Sequence, residues 1–241
     1  TYEDSNNKTS FNCMVCHNSE KFSEMIYAST ANKSLITAFS TSNPDPIYKS
    51  VPIEEPIVCI TCNSDLLLIG SSKGNIFLFE LVNSNYLLQI KCFTSEVLCM
   101  MICKDNSIVV VSKDIVKVFD YDSILKRMFF YDNENVREKD KINEYSSFVN
   151  NDKIFDILTI LHDTYICLIG RTKIIVMNYP NLSNQIHSIF FDTQITKTVM
   201  RNESELYISS ENKVYHFCLR KIIKNYENKL LSEALNVEYK E

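Results

Sequence analysis

One strand-like phrase returns along this chain: Asn75-Ile-Phe-Leu-Phe-Glu80, Ile115-Val-Lys-Val-Phe-Asp120, Ile174-Ile-Val-Met-Asn178 and Lys213-Val-Tyr-His-Phe-Cys218, with a fainter copy at Ser34-Leu-Ile-Thr-Ala-Phe-Ser40. The copies close at positions 40, 80, 120, 178 and 218, so the spacings are 40, 40, 58 and 40. The long interval is one period with an insertion of 18 residues. A fixed period of this size marks a chain built from one supersecondary unit repeated side by side.

The residues before each phrase repeat as well. A short apolar run precedes it: Met25-Ile-Tyr27, Leu66–Gly70, Ile108–Ser112, Tyr165–Gly170 and Leu206–Ser210. Brief polar turns join run to phrase, among them Lys113-Asp114, Arg171-Thr172 and Glu211-Asn212. Two apolar runs across a two-residue polar turn read as a hairpin. Upstream lies another strand that ends in a polar turn, as in Cys62-Asn-Ser64 and Leu161-His-Asp163. A fourth, outer strand follows in four of the repeats, near Tyr48, at Tyr86–Ile90, at Lys126–Tyr131 and at Gln185–Phe191.

Four strands per forty residues is the grammar of a β-propeller blade. Runs such as Leu66–Ile69 and Ile108–Val111 are apolar at every position. A strand with one wet face would alternate, whereas a blade packed on both sides by neighbours does not. An immunoglobulin-like sandwich also gives closely spaced strands, but not this fixed period. The expected fold is therefore all-β, a propeller of at least five four-stranded blades. They span about 10–50, 51–93, 94–132, 150–192 and 193–218, with an insertion at 133–149. Five blades close a ring by themselves or form part of a seven-bladed ring, and the sequence is compatible with both.

After Cys218 the period changes. Leu219, Ile222, Ile223, Tyr226, Leu230, Ala234 and Leu235 fall at helical spacing, with Lys221, Lys224, Glu227 and Lys229 on the other face. A helical segment over 219–241 is expected, with a second short helix beginning near Ser232. The junction from Leu206-Tyr-Ile-Ser-Ser210 through Phe217 into Ile222-Ile-Lys-Asn-Tyr226 and Glu233-Ala-Leu235 resembles one known family. It is similar to the point where the citron-homology propeller of HOPS- and CORVET-type vacuolar tethering subunits passes into an α-solenoid. The phrase Ile57–Ile76 is similar to that family's opening blades. The resemblance implies a scaffold in a membrane-tethering complex of vesicle traffic. Sibling subunits and small Rab-type GTPases would be its partners, in the cytoplasm and peripherally on endosomal or vacuolar membranes. The alternative is a WD-type adaptor of another cytoplasmic or nuclear complex.

Composition narrows the chemistry. The 241 residues include only three glycines, Gly70, Gly74 and Gly170, against an average of about 7%. A dinucleotide fingerprint or a phosphate loop needs several glycines close together. Here Gly74 is followed by Asn75-Ile76, and Gly170 stands alone. No Gly-x-Ser-x-Gly elbow occurs. A net charge of −5 argues against a nucleic-acid footprint. No apolar run approaches the roughly 20 residues of a membrane-spanning helix. The chain opens at Thr1 without a signal-peptide pattern, as an excised or trimmed piece would.

Nine cysteines in a chain of this length favour a reducing compartment. Four Asn-x-Ser/Thr triplets, at Asn7, Asn32, Asn181 and Asn202, match what so much asparagine gives by chance. Cys13-Met-Val-Cys16 and Cys59-Ile-Thr-Cys62 have the spacing of zinc knuckles. Their separation of 42 residues exceeds the usual 15–20, and within a strand positions i and i+3 point to opposite faces. Core packing is the expected role of all four. His17 and His162 fall at polar turns, His187 and His216 in strands, and none belongs to a metal or acid–base set. The insertion Asn133–Tyr145 mixes charges of both signs, as a solvated or partner-docking loop does. No catalytic, metal or cofactor residue is assigned from the sequence.

Overall fold

A computed structural model of the chain describes residues 11–19, 22–30, 36–40, 43–47, 53–81, 86–113, 115–120, 123–124, 144–149, 153–182, 184–211 and 213–238. They form five successive sheets and one helix. The first sheet holds β1 (Phe11–Ser19), β2 (Phe22–Thr30), β3 (Ile36–Ser40) and β4 (Asn43–Ile47). The second holds β5 (Ile57–Cys62), β6 (Leu66–Ser71), β7 (Asn75–Glu80) and β8 (Tyr86–Lys91). The third is built from β9 (Val97–Ile102), β10 (Ile108–Ser112), β11 (Ile115–Phe119) and β12 (Glu144–Val149). The fourth contains β13 (Ile154–Ile160), β14 (Tyr165–Gly170), β15 (Lys173–Asn178) and β16 (Gln185–Phe190). The fifth stops at three strands, β17 (Ile195–Asn202), β18 (Glu205–Ser210) and β19 (Lys213–Cys218). In every sheet the strands lie side by side in chain order, the meander of a propeller blade. The fold is a β-propeller.

The recurring phrase is the third strand of each sheet, and the apolar run before it is the second. Burial explains their composition. Every residue of β6 and β10 is buried, so no position there has a wet face to fill with a polar side chain.

The chain divides into two compact units, Thr1–Ile102 with Asn106–Glu144, and Cys103–Asp105 with Tyr145–Glu241. In the first unit, Tyr27, Ile36 and Ala38 meet Leu67, Ile69 and Phe77 between the first and second sheets. Leu68, Ile76 and Leu78 meet Val97, Ile108 and Val110 between the second and third. In the second unit, Ile169, Ile174 and Val176 of the fourth sheet face Leu206 and Ile208 of the fifth. Leu219 and Ile223 of the helix join the same cluster.

Two expectations are corrected. The outer strand of the third sheet is Glu144–Val149, inside the segment read as an insertion. The expected strand Lys126–Tyr131 lies outside the described residues. The extra residues therefore sit between the third and fourth strands of one blade, not between two blades, and periodicity cannot distinguish the two because either lengthens the interval equally. Among the described residues the fifth sheet has three strands, in keeping with an outer strand expected in only four of the repeats. The chain leaves β19 directly as a helix, because apolar positions from Leu219 onward follow a 3.6-residue period. That helix runs unbroken from Leu219 to Glu238, so no second helix begins near Ser232. Serine there is tolerated at a propensity cost of well under 1 kcal/mol.

Candidate interaction surface

A repeated polar bond fixes the end of the second strand in several sheets. Ser71 closes β6 and donates from Oγ to Glu55 Oε2, and its Oγ accepts the N–H of Asn75 at 3.1 Å. Ser112 closes β10, shares a hydrogen bond with Ser95 Oγ and donates to the carbonyl of Glu96 at 2.9 Å. Ser210 closes β18, shares a bond with Thr193 Oγ1 and donates to the carbonyl of Gln194 at 2.9 Å. Each tie runs from the strand to the segment that leads into the same sheet's first strand. All three serines are buried, where an unpaired hydroxyl would cost about 1–3 kcal/mol. The ties therefore hold the loops that enter each blade to the blade itself.

The second sheet carries the most polar version. Asn75 Nδ2 donates to both oxygens of Glu55, at 2.7 and 2.9 Å. Burial works to raise the Glu55 carboxyl. The donors from Ser71 and Asn75, with the ammoniums of Lys73 and Lys91, outweigh it and hold the group below its ordinary range. Beside it Gly74 adopts a φ of 82°, and a Cβ there would strike the carbonyl oxygens of Phe93 and Ser95. Its own carbonyl accepts the N–H groups of Cys92 and Phe93, each at 3.0 Å. One of the chain's few glycines thus stands where a side chain has no room.

The two cysteine pairs lie near one another, Cys62 Sγ donating to the carbonyl of Cys16 at 3.9 Å, without forming a metal-binding set among the described residues. Cys13 and Cys62 pack in the core between the first and second sheets, while Cys59 packs in the core between the second and third. Burial pushes the Cys62 thiol up to about 11, with Cys16 adding to the rise, and raises Cys59 further. Both remain thiols at neutral pH. No group of three or more His, Cys, Asp or Glu among the described residues is arranged to hold a metal ion. His17 lies within β1 opposite Met25 rather than in a turn. His187 is in β16, and His216 stacks on Tyr207 with ring centroids 4.7 Å apart. Of the insertion Asn133–Tyr145 only Glu144 and Tyr145 are described, both in β12.

His162 alone sits in a polar constellation, inside the second unit. Leu161, His162 and Asp163 have φ of 50°, 56° and 60°, a left-handed turn without glycine. Each such residue is disfavoured by about 1–2 kcal/mol. The turn is held by the bond from Thr164 Oγ1 to the carbonyl of Leu161 at 2.7 Å and by that from Leu161 N–H to the carbonyl of Glu203 at 3.2 Å. Asp163 Oδ2 accepts the backbone N–H of Lys104 at 2.5 Å. Glu203 takes Lys104 Nζ on one oxygen at 2.8 Å and His162 Nδ1 on the other at 3.0 Å. The hydrogen bond from Lys104 leads in holding the Glu203 carboxyl below its ordinary value, and the same bond raises Lys104. These side chains are largely exposed, so the Lys104–Glu203 ion pair adds little stability. What they supply is a fixed pattern of charge on strained backbone, a combination that clusters at ligand-binding positions. Sequence reading found the turn and missed its partners, since Lys104, Asp163 and Glu203 belong to turns of three different repeats.

Comparison with known proteins agrees on the fold. No family model matches the chain, and no curated protein matches it. Among solved structures, a chain of the crystal structure of the Mitotic Checkpoint Complex superposes with a TM-score of 0.68 at 12% identity, covering 88% of this chain and 62% of that one. The Cps50 (Swd1) β-propeller domain of Myceliophteria thermophila superposes with a TM-score of 0.64 at 9% identity, covering 80% and 66%. The fold these structures share with the chain is the β-propeller. The chain spans less than two thirds of the length of either solved neighbour.

Proposed function

We propose that the chain is a non-enzymatic protein-interaction scaffold, a subunit of a multiprotein complex that tethers membranes in vesicle traffic. The observation that carries the scaffold reading is the exposed, pre-shaped charge pattern at Lys104, His162, Asp163 and Glu203 on a WD-like propeller. A surface already fixed loses little side-chain freedom on binding. Solved neighbours from multiprotein assemblies support the same class. The tethering role rests on the propeller-to-helix junction at Leu206–Leu235 and its likeness to HOPS- and CORVET-type subunits. In that role the turns and blade edges dock sibling subunits and Rab-type GTPases, in the cytoplasm, and the membrane is reached through those partners. A WD-type adaptor of another complex is the second reading, and the propeller neighbours favour it equally.

Co-purification of the tagged full-length protein from its own cells, with mass spectrometry, tests both. A stoichiometric set of propeller–solenoid subunits, together with GTP-dependent capture of a Rab-type GTPase, is the result expected. A stoichiometric set of other proteins moves the assignment to the adaptor. Recovery of the protein alone, as a monomer, overturns the scaffold reading.

A further inference from the structure

Among the described residues the fifth sheet ends one strand short, and the fourth sheet shows what belongs there. The two align residue for residue forty positions apart, β14 on β18 and β15 on β19. In the fourth sheet Ile174 and Val176 pair with Ile189 and His187 of the outer strand β16. Their counterparts in β19 are Val214 and His216. Among the described residues β19 pairs only with β18. The fourth-sheet pair is fully buried, whereas Val214 is 74% exposed.

The ladder fixes which backbone groups are left over. Leu219 N–H donates to the carbonyl of Ser204 at 2.8 Å, as its counterpart Tyr179 donates to Thr164 at 3.1 Å. Alternation along an antiparallel pair then aims Tyr215 and Phe217 at β18. The N–H and C=O groups of Val214, His216 and Cys218 are aimed at the open edge. Natural edge strands are blunted by proline, bulges or several charges. Here the register with β18 is unbroken and the only charged residue is Lys213. The helix does not close the edge, since Leu219 and Ile223 pack back toward the fourth sheet.

We propose that β19 is the docking edge for an extended segment of a partner protein, which adds antiparallel as the missing fourth strand. The strand would alternate, placing an apolar residue opposite Val214. Its N-terminal end would meet the first turn of the helix, where Arg220, Lys221 and Lys224 are exposed and no acidic residue lies in the first turn. Acidic residues preceding the strand complement that charge. A second copy of this chain fits worse, because antiparallel β19–β19 pairing brings Lys213 of each copy against Arg220 and Lys221 of the other. Backbone pairing supplies affinity and the alternate side chains supply selectivity, as in other strand-addition sites. The inference deepens the scaffold reading and rests on it, but its test does not depend on the identity of the complex.

The probe is a synthetic peptide carrying three aspartates followed by the sequence of Gln185–Phe191. In hydrogen exchange on the free full-length chain, the amides of Val214 and His216 should exchange at least tenfold faster than those of Tyr215 and Phe217. The peptide should slow the two fast amides at least tenfold. Fluorescence anisotropy should show binding weakened at least tenfold by His216→Pro, which deletes an outward N–H, and retained by His216→Thr. Replacing the aspartates with lysines should weaken it too. Fast-site amides already protected in the free chain would mean that a segment of this chain holds the edge, and would overturn the proposal. So would a peptide that leaves them unprotected, or binding indifferent to the proline in a variant that keeps its circular dichroism spectrum. A dimer in sedimentation that His216→Pro dissolves would assign the edge to a second copy instead. If the proline variant does not fold, the exchange rates of the unmodified chain decide.

Discussion

Serines that close the second strands of the second, third and fifth sheets are small, buried and easily overlooked, yet they tie those blades to the segments that enter them. Ser210→Ala removes the donor to Gln194 and the partner of Thr193. Loss of about 1–3 kcal/mol is expected, read as a lowered denaturation midpoint in urea. Glu55 adds a pH dependence. Its carboxyl is held below the ordinary value in the folded chain, so the stability it contributes is full above the unfolded value of about 4.3 and is lost as pH falls through the lower folded value. Thermal midpoints measured from pH 7 to pH 3 should fall less steeply below pH 5 in Glu55→Gln than in the unmodified protein. An equal slope would remove Glu55 from the acid limb. Gly74→Ala combines a positive φ with a collision against backbone oxygens, and it should destabilise more than a substitution facing only flexible side chains. In the sequence Ser112 and Ser210 are visible as the last letters of repeated runs, and Ser71 directly follows the run Leu66–Gly70. Their partners lie 16 or 17 residues upstream in loops whose bonding residue changes from Glu55 to Ser95 to Thr193, so the tie itself is not legible there.

The helix behaves as a packed element rather than a self-stable one. Its first turn carries Arg220 and Lys221 and no acid, and its last turn carries no base, the reverse of what the helix dipole favours. Packing must compensate. Leu219 and Ile223 are buried in the cluster between the fourth and fifth sheets, and Tyr165 donates to Glu227 at 2.8 Å. Burial leads in raising the Tyr165 hydroxyl to about 12, and Glu227 adds to it, so the phenol keeps its proton as donor across the physiological range. Ile223→Ala should destabilise the second unit by about 2–5 kcal/mol, with the loss of helical ellipticity preceding that of the sheets on heating. Lys221→Glu should instead stabilise the helix by about 0.3–1 kcal/mol, an effect that shrinks as salt is added. A variant that loses stability would show that Lys221 has a partner in the folded chain worth more than the dipole. The helix was readable from its 3.6-residue stripe, but not its length. Nothing in the local pattern breaks at Ser232, and only the continuous backbone hydrogen bonding joins the two halves.

A propeller of stacked sheets separates what holds the molecule together from what it offers to others. Leu68, wholly buried between the second and third sheets, should cost about 2–5 kcal/mol as Leu68→Ala without altering any exposed turn. Lys104→Glu should do the opposite. Its ion pair with Glu203 is exposed, so stability should change little, while recovery of partners in co-purification should fall severalfold. Pairing it with Glu203→Lys rebuilds the bridge with inverted charge; partner recovery should stay low if the charge pattern is what is recognised. Full recovery in the double variant would mean that only the bridge matters.

The sequence by itself determined the repeat, the all-β class and the turn to helix after Cys218. Each of these is written in the spacing of apolar residues along the chain, and a strand or helix must carry that spacing wherever it packs. The tertiary structure alone decided which distant residues meet. It brought Glu144–Val149 to the edge of the third sheet, sent Cys13 and Cys59 into separate cores, and gathered Lys104, His162, Asp163 and Glu203 from three repeats. Among the described residues it also left β19 paired on one side only. Those outcomes depend on contacts between residues far apart in the chain, which arise from burial and pairing across strands and leave no period in the sequence.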